Sequence, residues 1–452
     1  MPNRISRRSA LQRGAAALGG AVAAQTISTS AQTGNVGGKR FRGWVQRAGD
    51  PDKGSLQPLT LLPIGGRQVV VRNQATQCCY SNCSRMLGTA DPSGAGGTIP
   101  KGTLLVHGHG GVGIVEAIGP DVKRVQVGDR VIVGVTPECG QCYQCLRGRA
   151  DRCQVLFGGI FGGVPTPSEV FAFATTASGE RVVGATNIGG HGEYMVTTEE
   201  WCAPVVTNVP AAELAMLHCV GGTGLGMTMT LHPVQPGDDV AVFGCGPIGL
   251  SAVQGARIQG AGRIIAVDPV RVRRDAALKL GATEALDPAA EGDNLLERIR
   301  ALCQGADPRI YTGARSRAGN NRGPDIVVEA VGGERFKPRV EPSPDPTGIT
   351  PLQQAYNVCA PGGHVMTCGI NQTGNVSFPA GNWSNGGKTQ HSSQYGGTHL
   401  FRDMPRYTRL IERGLYDAKA LVSATYPAER TTEAYQAVAD RTVIAAVITF
   451  NI

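Results

Sequence analysis

The stretch Cys139-x2-Cys142-x2-Cys145-x7-Cys153 places four cysteines at metal-ligand spacing. Four thiolates from one short loop complete a tetrahedral shell around Zn²⁺ and leave no position open for water or substrate, so such a site holds structure. Disulfides or free thiols are the alternative in a cysteine-rich exported protein. Because Cys-x2-Cys steps are poorly suited to two unstrained bridges, we predict a structural zinc site.

A second motif, VAVFGCGPIG at residues 240–249, joins a short apolar strand to a helix through a glycine-rich turn. Gly244 permits the tight turn, Gly246 lets a pyrophosphate approach backbone N–H groups, and Gly249 lets helix and strand pack closely. The motif therefore predicts a dinucleotide-binding domain built on a doubly wound parallel sheet.

The residues after the next strand indicate which dinucleotide binds. The strand at residues 263–267 ends at Asp268, nineteen residues after Gly249. A carboxylate there accepts ribose hydroxyls and repels a 2′-phosphate, which favours NAD over NADP. Arg273 is a further candidate at the adenosine end of the cofactor, although a solvated helix cation is the alternative.

Composition excludes several classes of protein. The chain has 452 residues, 41% of them hydrophobic and 17% charged, which is ordinary for a globular protein of two or three domains. Four arginines and no acid lie in residues 1–31, so half of the formal charge of +8 belongs to this terminus. We therefore expect no nucleic-acid partner.

The N-terminus has the pattern of a targeting signal. Arg7 and Arg8 precede an apolar run of small residues at 14–24, which is too short for a convincing membrane span. Residues 1–31 resemble a twin-arginine signal peptide, which predicts export to the periplasm; an unstructured basic tail is the alternative. No later stretch is apolar for long enough to span a membrane.

Three further segments carry metal-ligand side chains: Cys78-Cys79, His107-Gly108-His109 and Cys219. Singly, each is explained by a buried cysteine or an exposed histidine. Together with the four-cysteine loop and the dinucleotide motif, and in this order, they resemble the medium-chain zinc-dependent alcohol dehydrogenases over residues 40–452.

This resemblance implies the domain organisation. A mostly-β catalytic domain of the GroES-like type is expected from residues 32–220 and 372–452, with the structural zinc loop at 139–153. A Rossmann domain that binds NAD is expected from residues 221–371. The active site would lie in the cleft between the two domains.

The resemblance also implies the chemistry. Cys79, His109 and Cys219 match the three ligands of a catalytic zinc, while Cys78 and His107 are rivals shifted in frame. Such a zinc acts as a Lewis acid and activates the substrate as a zinc-bound alkoxide, which passes hydride to NAD. We therefore expect a zinc-dependent NAD alcohol dehydrogenase with two zinc ions per chain.

Several residues near the expected zinc depart from the family pattern. Ser81 matches the hydroxyl that accepts the alcohol's proton, but Ser84 stands where many relatives carry the histidine of the proton relay. Asn82 and Gly110 replace a common aspartate and glutamate. We hypothesise that losing both acids makes the zinc a stronger Lewis acid and lowers the pKa of the group bound to it.

Two positions near the expected cofactor phosphates also depart. Tyr80 replaces a residue that is often histidine, and Ala445 stands where some relatives carry arginine. The phosphates are therefore expected to rely more on backbone donors of residues 244–249 and on the helix N-terminus.

Export of an enzyme that uses NAD raises a difficulty, because free NAD is scarce outside the cytoplasm. The twin-arginine route carries folded proteins, so zinc and a tightly bound NAD could be loaded first. The chain would then be a nicotinoprotein acting as a dismutase, or as a dehydrogenase linked to an electron acceptor. A binding protein that kept the fold but lost turnover is the second alternative.

The expected substrate is a small alcohol, aldehyde or ketone, and relatives suggest a homodimer or homotetramer. Four stretches read as surface loops by composition: residues 154–192, 305–323, 335–351 and 382–400. The last is expected to lie near the cofactor.

Overall fold

The computed structural model describes residues 36–50, 54–87, 101–154, 171–303, 323–370, 374–378, 380–393 and 395–451. The predicted signal peptide, residues 1–31, lies outside these ranges. So do parts of the stretches 154–192 and 305–323.

The regular elements fall into a β-rich part and a part in which strands and helices alternate. The strands are β1 (Arg40–Arg47), β2 (Ser55–Leu61), β3 (Gln68–Gln77), β4 (Leu104–Val106), β5 (Gly111–Ile118), β6 (Arg130–Val133), β7 (Ala172–Thr176), β8 (Arg181–Gly184), β9 (Tyr194–Thr198), β10 (Cys202–Pro204), β11 (Asp239–Phe243), β12 (Arg263–Val267), β13 (Glu284–Leu286), β14 (Ile326–Glu329), β15 (His364–Thr367), β16 (Thr389–Ser392), β17 (Val422–Pro427) and β18 (Ala445–Thr449). The helices are α1 (Cys83–Met86), α2 (Tyr143–Leu146), α3 (Ala211–Leu214), α4 (Val220–Gly226), α5 (Pro247–Ile258), α6 (Arg271–Leu280), α7 (Pro288–Glu291), α8 (Leu295–Leu302), α9 (Ile349–Val358), α10 (Ala380–Asn385), α11 (Leu400–Glu412) and α12 (Thr431–Ala439).

The alternating part is one six-stranded sheet in the order β13-β12-β11-β14-β15-β16, and every neighbouring pair in it is parallel. Its central strands are buried on both faces, which explains why β11 and β12 read as continuous apolar runs. The strand order reverses between β11 and β14, and ligands of such sheets bind in the crevice at that point. The doubly wound α/β fold predicted from the sequence is confirmed.

The β-rich part consists of a closed barrel and a seven-stranded sheet. The barrel has the order β1-β2-β7-β8-β4, and its interior is filled by apolar side chains such as Phe41, Leu59 and Val106. The larger sheet has the order β10-β6-β5-β3-β18-β17, with β9 paired to β3. The mostly-β architecture expected for the catalytic part is therefore confirmed.

Two of the stretches expected to be surface loops contain regular structure. Residues 154–192 include β7 and β8, both strands of the barrel, and residues 382–400 include most of α10 and all of β16. Composition misled the prediction because short strands lie among the glycines and polar residues of these stretches, and the edge strand β16 is itself polar. The parallel sheet thus continues to β16, beyond the boundary predicted at residue 371.

In the described ranges, no single helix has both the length and the apolar character needed to cross a membrane. One pair of helical segments, Ala211–His218 and Val220–Leu231, meets the length and composition criteria only together, across a bend of 57°.

Candidate active site

Three segments that are far apart in sequence bring Cys79, His109 and Cys219 together. Cys79 follows β3 and precedes a short 3-10 helix at Tyr80–Asn82. His109 lies in the turn between β4 and β5, and Cys219 immediately precedes α4. All three side chains are buried, so the backbone of the core fixes where each one points.

The distances between the three ligand atoms suit one zinc ion. Cys79 Sγ lies 3.9 Å from Cys219 Sγ, and His109 Nε2 lies 3.3 Å from Cys219 Sγ. A tetrahedral zinc with bonds of about 2.3 Å to sulfur and about 2.0 Å to nitrogen separates its ligand atoms by roughly 3.5–3.8 Å. With three protein ligands, such an ion keeps one coordination position open.

Cys78 and His107, the alternative candidates for metal ligands, lie outside this ligand group. Cys78 packs in a hydrophobic cluster that also contains Tyr435. The ring of His107 contacts that of Trp44, and burial lowers the pKa of His107 to about 3. In the described part of the chain, neither residue belongs to a group able to hold a metal.

Ser81, a predicted neighbour of the ligands, lies beside Cys79. The Ser81 hydroxyl donates to Cys79 Sγ at 3.1 Å. Hydrogen bonds from Cys219, His109 and Ser81 hold the pKa of Cys79 well below its ordinary value, against the opposing effect of burial. The site therefore favours a thiolate at Cys79, the form that binds zinc.

Asn82 is the hydrogen-bonding partner of the histidine ligand. Its side-chain amide nitrogen lies 2.7 Å from His109 Nδ1. An imidazole that binds zinc through Nε2 carries its proton on Nδ1, so the amide must turn its oxygen to the ring in the zinc-bound form.

Gly110 has a structural reason to be glycine. Its φ is +156°, and a Cβ there would lie 2.5 Å from both His218 Nδ1 and the Val133 carbonyl oxygen. The buried His218 ring packs edge-on against His109, with their centroids 5.5 Å apart. A glutamate at position 110 would clash with this imidazole, so His218 takes the space of the acid that the family commonly has there.

The four predicted structural ligands also converge. The sulfur atoms of Cys139, Cys142, Cys145 and Cys153 all lie within 4.8 Å of one another, and none forms a disulfide. The Cys142 N–H donates to Cys139 Sγ, and the Gln154 N–H donates to Cys142 Sγ, each at 3.3 Å. Such donors stabilise thiolates, and the donor set suits a closed tetrahedral zinc.

A cleft runs from the Cys79 region to the carboxyl ends of β11 and β14. Gly244 has φ +86°, and a Cβ on Gly249 would lie 1.8 Å from the Gly244 carbonyl oxygen. A Cβ on Gly246 would meet nothing closer than 4.0 Å, so the turn leaves space for a ligand against the backbone. These positions fit the roles predicted for a dinucleotide loop.

The two predicted side chains of the cofactor site also line this cleft. Asp268 accepts the Cys245 and Val270 N–H groups, each at 2.7 Å, and its oxygens keep further lone pairs for ribose hydroxyls. Arg273 is half-buried, and its buried Nε has no hydrogen-bond partner. A buried donor that lacks a partner suits an anionic ligand such as a cofactor phosphate.

Sequence reasoning missed two more arginines of the cleft, Arg335 and Arg441. The Arg335 N–H donates to Tyr80 Oη at 2.9 Å, and its guanidinium donates to the Ser81 carbonyl oxygen at 3.0 Å. Phe336 packs edge-on against the Tyr80 ring. The tyrosine that replaces the family's usual phosphate-binding residue thus holds this segment instead.

A second set of contacts holds the same segment to the end of α12. The Arg339 guanidinium pairs with Asp440 at 3.0 Å, and the Arg441 guanidinium pairs with Glu334 at 2.7 Å. We call residues 334–348 the clasp, because they leave the parallel-sheet part and contact the β-rich part along the cleft. Its proline and charge suggested a loop, but not which surface it would contact.

Comparison with known protein families gives two matches along the chain. Residues 65–207 match the alcohol dehydrogenase GroES-like domain, and residues 247–342 match the zinc-binding dehydrogenase domain.

Among curated proteins, the chain is similar to the NDMA-dependent alcohol dehydrogenase of Amycolatopsis methanolica, with 30% identity over 76% of this chain and 84% of the relative. It is also similar to the S-(hydroxymethyl)glutathione dehydrogenase of Saccharomyces cerevisiae, with 32% identity over 56% of this chain and 63% of the relative. Among solved structures, an alcohol dehydrogenase zinc-binding domain protein from Burkholderia ambifaria aligns with a TM-score of 0.75 and 26% identity, covering 92% of this chain and 100% of that one.

Proposed function

Because the chain belongs to the family of zinc-dependent medium-chain alcohol dehydrogenases, we propose that it transfers hydride between an alcohol and NAD at the Cys79, His109 and Cys219 site. Membership makes the chain a zinc-dependent oxidoreductase and leaves the non-catalytic alternative without support. The observation that carries the proposal is the convergence of these three ligands, of which Cys79 lines the same cleft as the dinucleotide turn.

The protein's own groups divide the work. Cys79, His109 and Cys219 would hold zinc, which would supply a Lewis acid to the substrate oxygen. The turn around Gly246, together with Asp268 and Arg273, would hold NAD, which would supply the hydride acceptor. Ser81, beside Cys79 in the cleft, is the hydroxyl placed to take the alcohol's proton. Asn82 fixes the His109 ring and brings no negative charge to the site.

The proposal is tested on the purified protein after residues 1–31 are removed. We expect two zinc ions per chain by elemental analysis and a rise in nicotinamide absorbance when alcohols and NAD are added. A protein with both zinc ions and bound NAD that responds to no primary or secondary alcohol would contradict it.

A more specific form of this function is a dehydrogenase that never releases NAD. The clasp supports it, because four of its side chains, Arg335, Phe336, Arg339 and Glu334, contact the other wall of the cleft. The name of the Amycolatopsis relative adds support, since a stated dependence on NDMA agrees with a cofactor that must be reoxidised in place.

This form has its own test. We expect NAD to remain with the protein through gel filtration, to be released by heat, and to be reduced by alcohol without added cofactor. A nucleotide-free protein that turns over only with added NAD would leave hydride transfer intact and rule out the retained cofactor.

We also infer that residues 1–31 export the chain in folded form through the twin-arginine route. The support is the Arg7-Arg8 pair, the short run of small apolar residues after it and the absence of acids. Cell fractionation should find the protein in the periplasm and the Arg7→Lys, Arg8→Lys double variant in the cytoplasm. Equal distribution of the two proteins would overturn the inference.

A further inference from the structure

Three of the chain's eight histidines, His232, His364 and His391, meet at the outer edge of the parallel sheet. His364 begins β15, and His391 lies in the edge strand β16. His232 follows the helical turn Met227–Leu231, which precedes β11. None of the three belongs to either zinc group described above, and neither the proposed reaction nor the cofactor needs them.

The strand register explains why two of these side chains face each other. His391 pairs with Met366 across the parallel ladder, and His364 lies two residues before Met366. Because side chains alternate along a strand, His364 and His391 point to the same face of the sheet. His364 Nδ1 lies 3.1 Å from His391 Nε2, and the His232 ring stacks on His364 with centroids 3.5 Å apart.

This arrangement has the chemistry of a metal site. The three rings are partly exposed, and one ring nitrogen of each lies within 4.8 Å of those of the others. Two imidazole nitrogens bound to one ion at about 2.0–2.1 Å lie roughly 2.9–3.4 Å apart, which includes the distance between His364 and His391.

Burial and neighbouring charges favour the neutral form of the three imidazole rings, which is the form that binds metals. Burial lowers the pKa of all three histidines, and the neighbouring rings lower those of His364 and His391 further. Asp238 opposes this effect at His232 and His364, while Arg149 strengthens it at His391. An ion must lie in the plane of each ligand ring, so His232 must rotate out of its stack on His364 to complete the site.

We propose that His232, His364 and His391 form a third metal site, which binds a borderline divalent cation such as Zn²⁺, Ni²⁺ or Cu²⁺ and leaves a coordination position to water. Imidazole-only sites prefer these ions over Mg²⁺ or Ca²⁺. A metal at this position would tie the exposed edge strand β16 to β15 and to the segment before β11.

The test uses the full chain, dialysed under conditions that leave the two expected zinc ions in place. Equilibrium dialysis against Zn²⁺ or Ni²⁺, followed by elemental analysis, should show one additional equivalent per chain. His364→Gln and His391→Gln should each lose that equivalent and keep the original two zinc ions. Gln390→Ala, an exposed position between Thr389 and His391 on the same strand, is the matched control and should keep it.

Hydrogen exchange provides a readout that does not depend on counting metal. Added metal should slow amide exchange in Thr389–Ser392 in the unaltered protein and in Gln390→Ala, but not in the two histidine variants. Failure to bind an additional equivalent, or its persistence in both histidine variants, would overturn the proposal.

Discussion

The two candidate zinc sites are built in opposite ways. The four-cysteine loop takes all its ligands from residues 139–153 and fills every coordination position with sulfur. The Cys79, His109 and Cys219 site takes its ligands from three distant segments and leaves one position for a substrate. Ligands that are close in sequence form a structural site within one loop. Ligands from distant segments come together only when the whole core has folded. The two sites should therefore respond differently to loss of a ligand.

The largest expected effect is on catalysis at the three-ligand site. Cys79→Ala should lower kcat/KM at least about 10³-fold, because loss of a Lewis acid removes several kcal/mol of transition-state stabilisation. Steady-state kinetics and zinc content, with one zinc lost per chain, are the measurements. Cys78→Ala is the matched control, since it removes the adjacent buried thiol that lies outside the ligand group. Equal losses of kcat/KM and zinc in both variants would contradict the assignment of Cys79, rather than Cys78, as the zinc ligand.

Loss of a ligand from the four-cysteine loop should instead reduce stability. We expect Cys142→Ser to lose one zinc and to lower the free energy of unfolding by several kcal/mol, since the metal contributes to folding directly. Protein that remains folded should retain most of its kcat. Chemical denaturation, with the exposed neighbour Gln141→Ala as control, measures this effect. If one zinc is lost and the unfolding midpoint does not change, the metal in this loop does not contribute to the stability of the fold.

The clasp lies on the cleft that serves the three-ligand site. Arg335→Ala removes the hydrogen bond from the guanidinium to the Ser81 carbonyl oxygen and keeps the backbone N–H bond to Tyr80. A hydrogen bond from a charged group contributes about 1.5 kcal/mol, so NAD should dissociate roughly tenfold faster. Release is measured by rapid dilution of the NAD complex. Lys337→Ala, an exposed position in the same segment, should have no effect; similar rates in both variants would count against the clasp.

The neutral amide beside His109 should set the acidity of the three-ligand site. Asn82→Asp places a carboxylate against His109 Nδ1 and makes the imidazole a stronger donor to the metal. The apparent pKa of the pH–rate profile should then rise by about one unit. His218 fills the space that a larger residue at position 110 would need, so the test changes position 82 alone. A profile that stays in place or moves to lower pH would refute the hypothesis.

The smallest expected effect concerns how the four-cysteine loop is attached. His399 contacts the Glu138 carboxylate at 3.5 Å and the Gly148 carbonyl oxygen at 2.9 Å. Its hydrogen bond to Glu138 raises the pKa of His399. The charged pair therefore stabilises the fold below the ordinary histidine pKa of about 6.5 and loses this effect as pH rises through the raised value.

His399→Gln should accordingly cost about 1 kcal/mol of unfolding free energy at mildly acidic pH and much less in alkaline solution. Denaturation of both proteins at the two pH values gives the difference. A cost that grows with pH would mean that the imidazole acts in its neutral form.

The fold could be predicted from the sequence because its signals are local. The strand, turn and helix around Gly244 lie within a few residues of one another, and so do the four cysteines of the loop. Both of these signals depend on chain geometry alone. The choice of Cys79 over Cys78 followed instead from the resemblance to the family, and the structure places Cys79 in the ligand group and Cys78 outside it.

Features that depend on contacts between distant segments were not predictable. Nothing near Gly110 in sequence indicates that His218 occupies the space beside it. The partner of Arg335 is Tyr80, more than 250 positions earlier, and His364 meets His391 only through strand register. The prediction that residues 382–400 form a surface loop was wrong, because polar residues also form edge strands.

The most direct test of the central claim is the visible absorption spectrum of the protein with cobalt in place of zinc, recorded while an alcohol is added. A site with an open position should change its spectrum as the alcohol binds, whereas a site closed by four sulfurs should not. We predict a change that is complete at one alcohol per chain and absent in Cys79→Ala, with the thiolate bands of the four-cysteine site unaltered. A spectrum that does not respond to alcohol, or a response that persists in Cys79→Ala, would contradict the account.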